Sequence, residues 1–132
     1  MDNDIRENEI GKVLINTAID IHKNLGAGLL ESVYEVVLAH ELEEKGFSVK
    51  RQLPIDIVYK NIHFSEAFRA DLMIDDKVIV ELKSIEDLTM AHRKQLLTYL
   101  RLSGKKLGFI LNFGVALMKD GIVRTVNGLP EG

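Results

Sequence analysis

The stretch from Ala67 to Lys83 constrains the fold of this chain more than any other. Two apolar runs, Ala67 to Ile74 and Lys77 to Lys83, are separated only by Asp75-Asp76. So short a polar link between two strand-length runs predicts an antiparallel hairpin. Side chains alternate along a strand, so Val78, Val80 and Leu82 share one face and Ile79, Glu81 and Lys83 share the other. The same rule groups Ala70, Leu72 and Ile74 against Arg69, Asp71 and Met73. Pairing the two strands brings Asp71 within reach of Glu81, two acids beside residues otherwise suited to burial.

Helices and strands surround that hairpin. Ile10, Leu14, Ala18 and Ile21 recur at three to four, which predicts a helix over Glu9 to Lys23, stopped by Asn24-Leu25-Gly26-Ala27-Gly28. A second helix is predicted over Leu29 to Lys45, with Leu30, Val33, Val37, Leu38 and Leu42 facing the core and Gly46 just past its end. Phe47 to Tyr59 reads as two short strands around Pro54, because proline suits an edge or a bulge. A turn at Lys60-Asn61 follows. Met90 to Leu102 is predicted as a third helix that ends near Ser103-Gly104, with Leu96, Leu97 and Leu100 toward the core. Leu107 to Asn112 and Gly121 to Val126 read as strands, and the closing Asn-Gly-Leu-Pro-Glu-Gly as a frayed end. With no linker, repeat or low-complexity segment, the 132 residues are expected to form one mixed α/β domain over 1–132, its core spanning about residues 9–129.

Composition narrows the chemistry. The chain has no cysteine, which removes disulfides, thiolate metal sites and a cysteine nucleophile, and accords with a reducing compartment. Met1 to Glu9 carries four acids, one arginine and no apolar run, so no secretory leader is expected. No aliphatic run approaches the roughly 20 residues that cross a bilayer. A cytoplasmic protein without a membrane partner is the expectation. Net charge is −3, and it is uneven: residues 1–66 hold seven basic against twelve acidic side chains, residues 67–132 ten against eight. His92 to Lys106 holds five basic residues and no acid. That stretch is either a modest nucleic-acid footprint or a solvated helix face.

Two carboxylates held close repel one another. They can share a proton, or they can bind a divalent cation. Mg²⁺ takes hard oxygen ligands, commonly one or two carboxylates, and keeps several waters. Asp71 and Glu81 supply such ligands, and the backbone carbonyl of Leu82 adds a third oxygen. Lys83, one same-face step beyond Glu81, can orient a water or steady charge on a phosphoryl group. The plainer alternative is an acid and a base on a solvated sheet face. On the third helix, His92, Gln95 and Tyr99 fall on one side. Gln95 and Tyr99 can reach a phosphate or Lys83; equally, Tyr99 can be a core tyrosine with a wet hydroxyl. On the second helix Glu31 precedes Tyr34 and Glu35. Glu31 either answers the helix dipole or adds a third carboxylate. His22 and His63 are not expected to be ligands.

Together these segments resemble a known family. Gly28-Leu-Leu-Glu31-Ser-Val-Tyr34 resembles the Gly-x-x-Glu-x-x-Tyr motif of the small GxxExxY proteins of the PD-(D/E)XK nuclease superfamily. The blocks FRADLMI, VIVELKS, HRKQLLTYLR and LGFILNFG follow in the family's order, so the resemblance runs from about Glu9 to Leu129. It implies a restriction-endonuclease-like core, a central mixed sheet flanked by helices. It also implies Asp71 and Glu81 as metal-binding carboxylates, Lys83 as the catalytic lysine and Glu31 as the helix-borne acid. Gln95 and Tyr99 resemble the Gln-x-x-x-Tyr element of the exonuclease-like branch. Ala70 stands where the superfamily's name has proline. The expected activity is hydrolysis of DNA or RNA phosphodiesters with Mg²⁺ or Mn²⁺ held by Glu31, Asp71, Glu81 and the Leu82 carbonyl. Lys83 would orient the attacking water, and Gln95, Tyr99, Arg69 and Tyr34 would position the phosphate. Two alternatives stand beside it. One is a catalytically silent scaffold that binds or regulates with a protein partner or as a homodimer; the other is a nucleotide phosphohydrolase.

Overall fold

The computed structural model describes residues 3–129, with side chains from Arg6 onward. The start of the acidic N-terminal stretch and Pro130 to Gly132 lie outside the described residues; the described part of the expected frayed end is instead held, with the Asn127 N–H donating to the Lys106 carbonyl and Leu129 buried in the core. The elements are α1 (Asn3–Leu25), α2 (Glu31–Glu44), β1 (Val49–Tyr59), β2 (Ile62–Ile74), β3 (Val78–Lys83), α3 (Met90–Ser103), β4 (Leu107–Asn112), a 3-10 turn (Met118–Gly121) and β5 (Ile122–Val126). They build a mixed α/β fold on a five-stranded sheet in the order β1-β2-β3-β4-β5. The β3–β4 pair is parallel, joined by the α3 crossover, and the other three pairs are antiparallel.

The predicted hairpin is present, with Leu72 opposite Val80 and Ile74 opposite Val78. Asp75 and Asp76 both take positive φ (52° and 56°), as do Lys60 and Asn61 at the β1–β2 turn (46° and 67°). Two consecutive left-handed residues give a turn whose twist matches that of the strands it joins. Arg6 of α1 pairs with Asp75 and anchors the β2–β3 turn to the helix layer. One expectation is corrected here. Phe47 to Tyr59 does not form two strands around Pro54. Val49–Tyr59 is a single strand at the sheet's edge, and Pro54 lies within it opposite Arg69. An edge strand tolerates proline because the missing N–H need not be replaced by a ladder partner.

The sheet separates two unequal apolar layers. On one face α1 and α2 pack Ile10, Leu14, Ala18, Ile21, Tyr34, Leu38 and Leu42 against Leu72, Ile74, Val78, Val80, Leu82, Phe109 and Leu111. On the other, α3 sets Leu96 and Leu100 over Ala70, Met73, Ile79 and Ile110. Gly108 makes that second packing possible: a Cβ there would meet Leu96 at 3.0 Å and Leu100 at 3.1 Å. Thr89 caps α3 by accepting from the His92 N–H while the Thr89 N–H donates to His92 Nδ1, and Gly104 (φ 73°) ends the helix.

A second correction concerns α2. Leu30 and Val33 were expected in the core, but both are exposed, with Leu30 at 75%. The buried positions are Tyr34, Glu35, Leu38, Ala39 and Leu42. A helix whose apolar and charged residues are spread over several sides has no periodicity that selects a face. The bulk of Tyr34 settles the rotation: its ring stacks on Phe113, centroids 4.2 Å apart.

Candidate active site

The ladder between β2 and β3 ends at Leu72–Val80. The next pair outward is Asp71 and Glu81. There the strands part, and each acid takes over a backbone donor that the ladder no longer serves. The Asp71 N–H donates to Glu81 Oε2 at 2.9 Å, and the Leu82 N–H donates to Asp71 Oδ2 at 2.8 Å. The carboxylates are thus fixed reciprocally, at the mouth of an opening that their own strands create. β3 continues beside β4 through Lys83, opposite Asn112. Ile79 lies in the α3 layer, so alternation turns Glu81 and Lys83 to that same side. The Lys83 carbonyl accepts from the Phe113 N–H on the β4 side. The Leu82 carbonyl, one residue earlier, therefore points back toward Asp71, as does the Leu82 N–H.

Asn112 stabilises this end of the sheet. It is buried, and its Oδ1 accepts from the N–H groups of Ile85 (3.1 Å) and Gly114 (3.0 Å), tying together the loops that follow β3 and β4. Gly114 is required by close approach: a Cβ there would lie 2.2 Å from the Ile85 carbonyl oxygen.

The face assignment of β2 needs correcting. Leu72 and Ile74 belong to the α1/α2 layer as expected, but Ala70 belongs to the α3 layer. β1 switches at the same level. Arg51 reaches α2, while Leu53 packs with the α3 layer. The switch falls at Gln52, which has φ 49° within an extended strand, and at Asp71. A left-handed residue other than glycine costs on the order of 1–3 kcal/mol and persists only where its surroundings hold it. What holds Gln52 is a network absent from the sequence expectation. Its Nε2 donates to Glu35 Oε1 at 2.7 Å and to Asp71 Oδ1 at 3.1 Å. Glu35 is buried, and its Oε2 accepts from Arg51 Nε (3.0 Å) and Nη2 (2.9 Å). The sequence shows Glu35 only as an acid among the apolar residues of α2; its burial, and hence its need for a partner, comes from the structure.

The electrostatics follow from this crowding. Burial raises the Glu81 carboxyl to about 7, with the Asp71 charge adding to the rise. The Asp71 N–H and the Lys83 ammonium oppose it, and Glu31 adds a smaller increase. The Tyr99 hydroxyl is also raised, by burial first and then by Glu81 and Asp71. Tyr99 is therefore a neutral donor close to both acids. Its ring stacks on Phe68 with centroids 3.8 Å apart and planes nearly parallel, so it is both a packing residue and a site neighbour.

The remaining expected residues divide. Glu31 opens α2, is exposed, and lies within electrostatic range of Glu81. It does not complete a three-acid cluster: among the described residues no group of three or more His, Asp or Glu side chains is placed to hold a metal ion. Gln95 is exposed, one turn before Tyr99. Arg69 is exposed and pairs with Glu66 at 2.7 Å. Tyr34 is a correction. It is wholly buried, its hydroxyl donates to the Gly26 carbonyl (2.6 Å) and accepts from the Leu29 N–H (3.1 Å), and it braces the α1–α2 loop rather than facing a substrate. His92 caps α3. His22 is buried, with Nε2 2.9 Å from the Val115 carbonyl oxygen.

With strand order, carboxylate pair and lysine in place, comparison with known proteins adds a family. The profile of the PD-(D/E)XK nuclease superfamily matches residues 8–125, and the chain belongs to that superfamily. No curated protein and no solved structure gives a match. No helix among the described residues is long and apolar enough to cross a membrane.

The donor set fits a small divalent cation in one form. Two hard-oxygen carboxylates and a convergent carbonyl suit Mg²⁺ or Mn²⁺ with the remaining positions held by water. A cation would also offset the burial and, after it, the Asp71 charge that together hold the Glu81 proton. An all-protein cage of three carboxylates is not what the residues form.

Proposed function

We propose that the chain is a metal-dependent nuclease that hydrolyses phosphodiester bonds of DNA or RNA at Asp71, Glu81 and Lys83. The observation that carries this reading is the opposition of Asp71 and Glu81 where β2 leaves β3, with Lys83 turned to the same side as Glu81. Asp71, Glu81 and the Leu82 carbonyl would hold Mg²⁺ or Mn²⁺, with Glu31 contributing charge from α2. Such an ion, when bound, lowers the pKa of a water and offsets charge on the phosphoryl oxygens.

The chain's own groups do the rest. Lys83 places a positive charge beside the acids, where it can orient the nucleophilic water and stabilise developing negative charge. Tyr99, kept protonated, donates to a phosphate oxygen. Gln95, one turn earlier, extends the same anion-binding edge; Arg69, expected there, lies between Phe68 and Ala70, which both face α3, so alternation turns it to the other side, where it pairs with Glu66. Glu81 must be ionised to bind a cation. Arg93, Lys94 and Arg101 on α3 would favour the approach of a polyanion from that side, whereas Lys105 is paired with Asp76 at the β2–β3 turn.

The test is hydrolysis of single- and double-stranded DNA, RNA and free nucleotides with Mg²⁺, with Mn²⁺ or with EDTA. Cleavage of a polymer that needs the metal, and that disappears in Asp71→Ala and Lys83→Ala proteins that still fold, is the expected result. Variants that cleave like the wild type would end the proposal. Turnover confined to free nucleotides would make the chain a phosphohydrolase.

One observation favours a second reading, in which the nuclease scaffold works with a protein partner or a second copy. The end of α1, the loop that follows and the outer side of α2 expose Leu25, Leu29, Leu30, Val33 and Val36, with Glu31 among them. Exposed apolar side chains next to an acidic site are what a partner would cover. A folded chain with no hydrolysis of any substrate, whose self-association is lost in Leu30→Glu, would favour this reading.

A further inference from the structure

Gln52 joins a closed ion pair to an open carboxylate. Its side-chain amide donates one hydrogen bond to Glu35, which is 6% exposed and already bound twice by Arg51, and one to Asp71 Oδ1. The other Asp71 oxygen accepts from the Leu82 N–H. One donor on each oxygen sets the plane of the Asp71 carboxyl. One of them comes from the strand that carries Glu81 and Lys83, and the other from Gln52. Gln52 takes φ 49°, and both strands change faces at this level. Glu35 and Arg51 hold one side of the amide nitrogen, which leaves its second hydrogen directed at Asp71.

We propose that Gln52 is a positioning residue for Asp71, anchored by Glu35 and Arg51, so that α2 and the edge strand β1 together orient a carboxylate borne on β2. The inference rests on the reading of Asp71 as a cation ligand only for its functional consequence; the orientation itself is a property of the metal-free chain. Arg51 alone gives Glu35 a charge partner, so an amide needed only for that purpose would have no effect on Asp71.

Gln52→Gly tests this without straining the fold, because glycine accepts a positive φ freely. Gln52→Asn, which tolerates the same backbone but is one methylene too short to bridge both acids, serves as the second variant. In the metal-free protein the expected result is a melting temperature changed little, relief of the left-handed backbone offsetting the lost bond to buried Glu35, and about tenfold faster hydrogen exchange at the Leu82 amide, since Asp71 is free to turn away. Mn²⁺ affinity measured by calorimetry should fall about tenfold, the usual effect of removing a group that orients a ligand. Placed on Asp71→Ala, which removes both acceptor oxygens, Gln52→Gly should change neither quantity further. A folded Gln52→Gly or Gln52→Asn protein with wild-type Leu82 exchange would overturn the proposal. If the wild type binds no Mn²⁺, the nuclease reading fails while the Leu82 exchange still decides the role of Gln52.

Discussion

The two faces of the sheet are built to different ends. Two helices close one face with a continuous apolar layer in which even the one tyrosine, Tyr34, has its hydroxyl bonded to the loop it braces. A single helix covers the other. Its apolar layer is small, and beyond Ile79 it gives way to Glu81, Lys83 and Tyr99, all only partly buried. The closed face contributes stability. The open face holds groups that would be more stable apart or in water. Charged, desolvated side chains that oppose each other are a cost that folding alone does not explain.

That contrast can be broken by substitution. The largest expected effect is on the open face. Lys83→Ala should reduce the proposed nuclease activity by on the order of 10³-fold, comparable to loss of a group that stabilises transition-state charge, and leave the melting temperature nearly unchanged. Activity assays paired with thermal unfolding would check both halves. On the closed face Leu38→Ala should do the reverse. It should cost about 2–5 kcal/mol of stability by leaving a cavity, with residual folded protein still active. If Leu38→Ala abolished activity without destabilising, or Lys83→Ala unfolded the chain, the division between faces would be wrong.

Glu81 sharpens the comparison through pH. Its folded-state value, about 7, lies above the ordinary carboxylate value of 4.5, because burial and Asp71 disfavour the charged form. The folded state therefore holds the proton more tightly than the unfolded chain. Its stabilising effect is complete below about pH 4.5 and is lost as the pH rises through about 7. In metal-free protein, Glu81→Gln should raise stability at pH 8 relative to wild type and flatten the decline between pH 5 and 8 in denaturant titrations. Cation binding near pH 6.5 should release a proton, seen as a dependence of the calorimetric heat on the buffer. A wild-type stability curve that rises over this range would contradict the assignment.

Two tyrosines supply the smaller effects. Tyr34→Phe removes a buried hydroxyl with two backbone partners and should cost about 1–3 kcal/mol, measured by chemical denaturation, with little change in kcat. Tyr99→Phe keeps the stack on Phe68. It should leave stability within about 0.5 kcal/mol and lower kcat/KM by about tenfold, the loss of one hydrogen bond to phosphate.

Much of the fold was legible because its signals are local. The α1 stripe of Ile10, Leu14, Ala18 and Ile21 is buried as its spacing predicts, Gly104 ends α3, and the turns at Lys60-Asn61 and Asp75-Asp76 lie where predicted. The Asp71–Glu81 encounter was legible too, because so short a turn leaves few registers. What failed depended on distant partners. α2 carries apolar residues on several sides, so its buried face could not be read until Phe113 met Tyr34. Strand alternation holds for β3 but breaks at Gln52 and Asp71, and nothing in Arg51-Gln52-Leu53 announces a left-handed residue. Glu35 was visible as an acid on α2, but its pairing with Arg51, 16 residues on, was not.

The sequence by itself determined most of the elements, the hairpin, the carboxylate pair and the lysine beside it, because periodicity, turn chemistry and short chain separation act between near neighbours. Tertiary structure alone decided which side of α2 is buried, where two strands change faces, that Glu31 stays outside a three-acid cluster, and that Gln52 ties Glu35 to Asp71. Those outcomes depend on which surfaces meet across the sheet, and on the need of each buried polar atom for a partner that may lie anywhere along the chain.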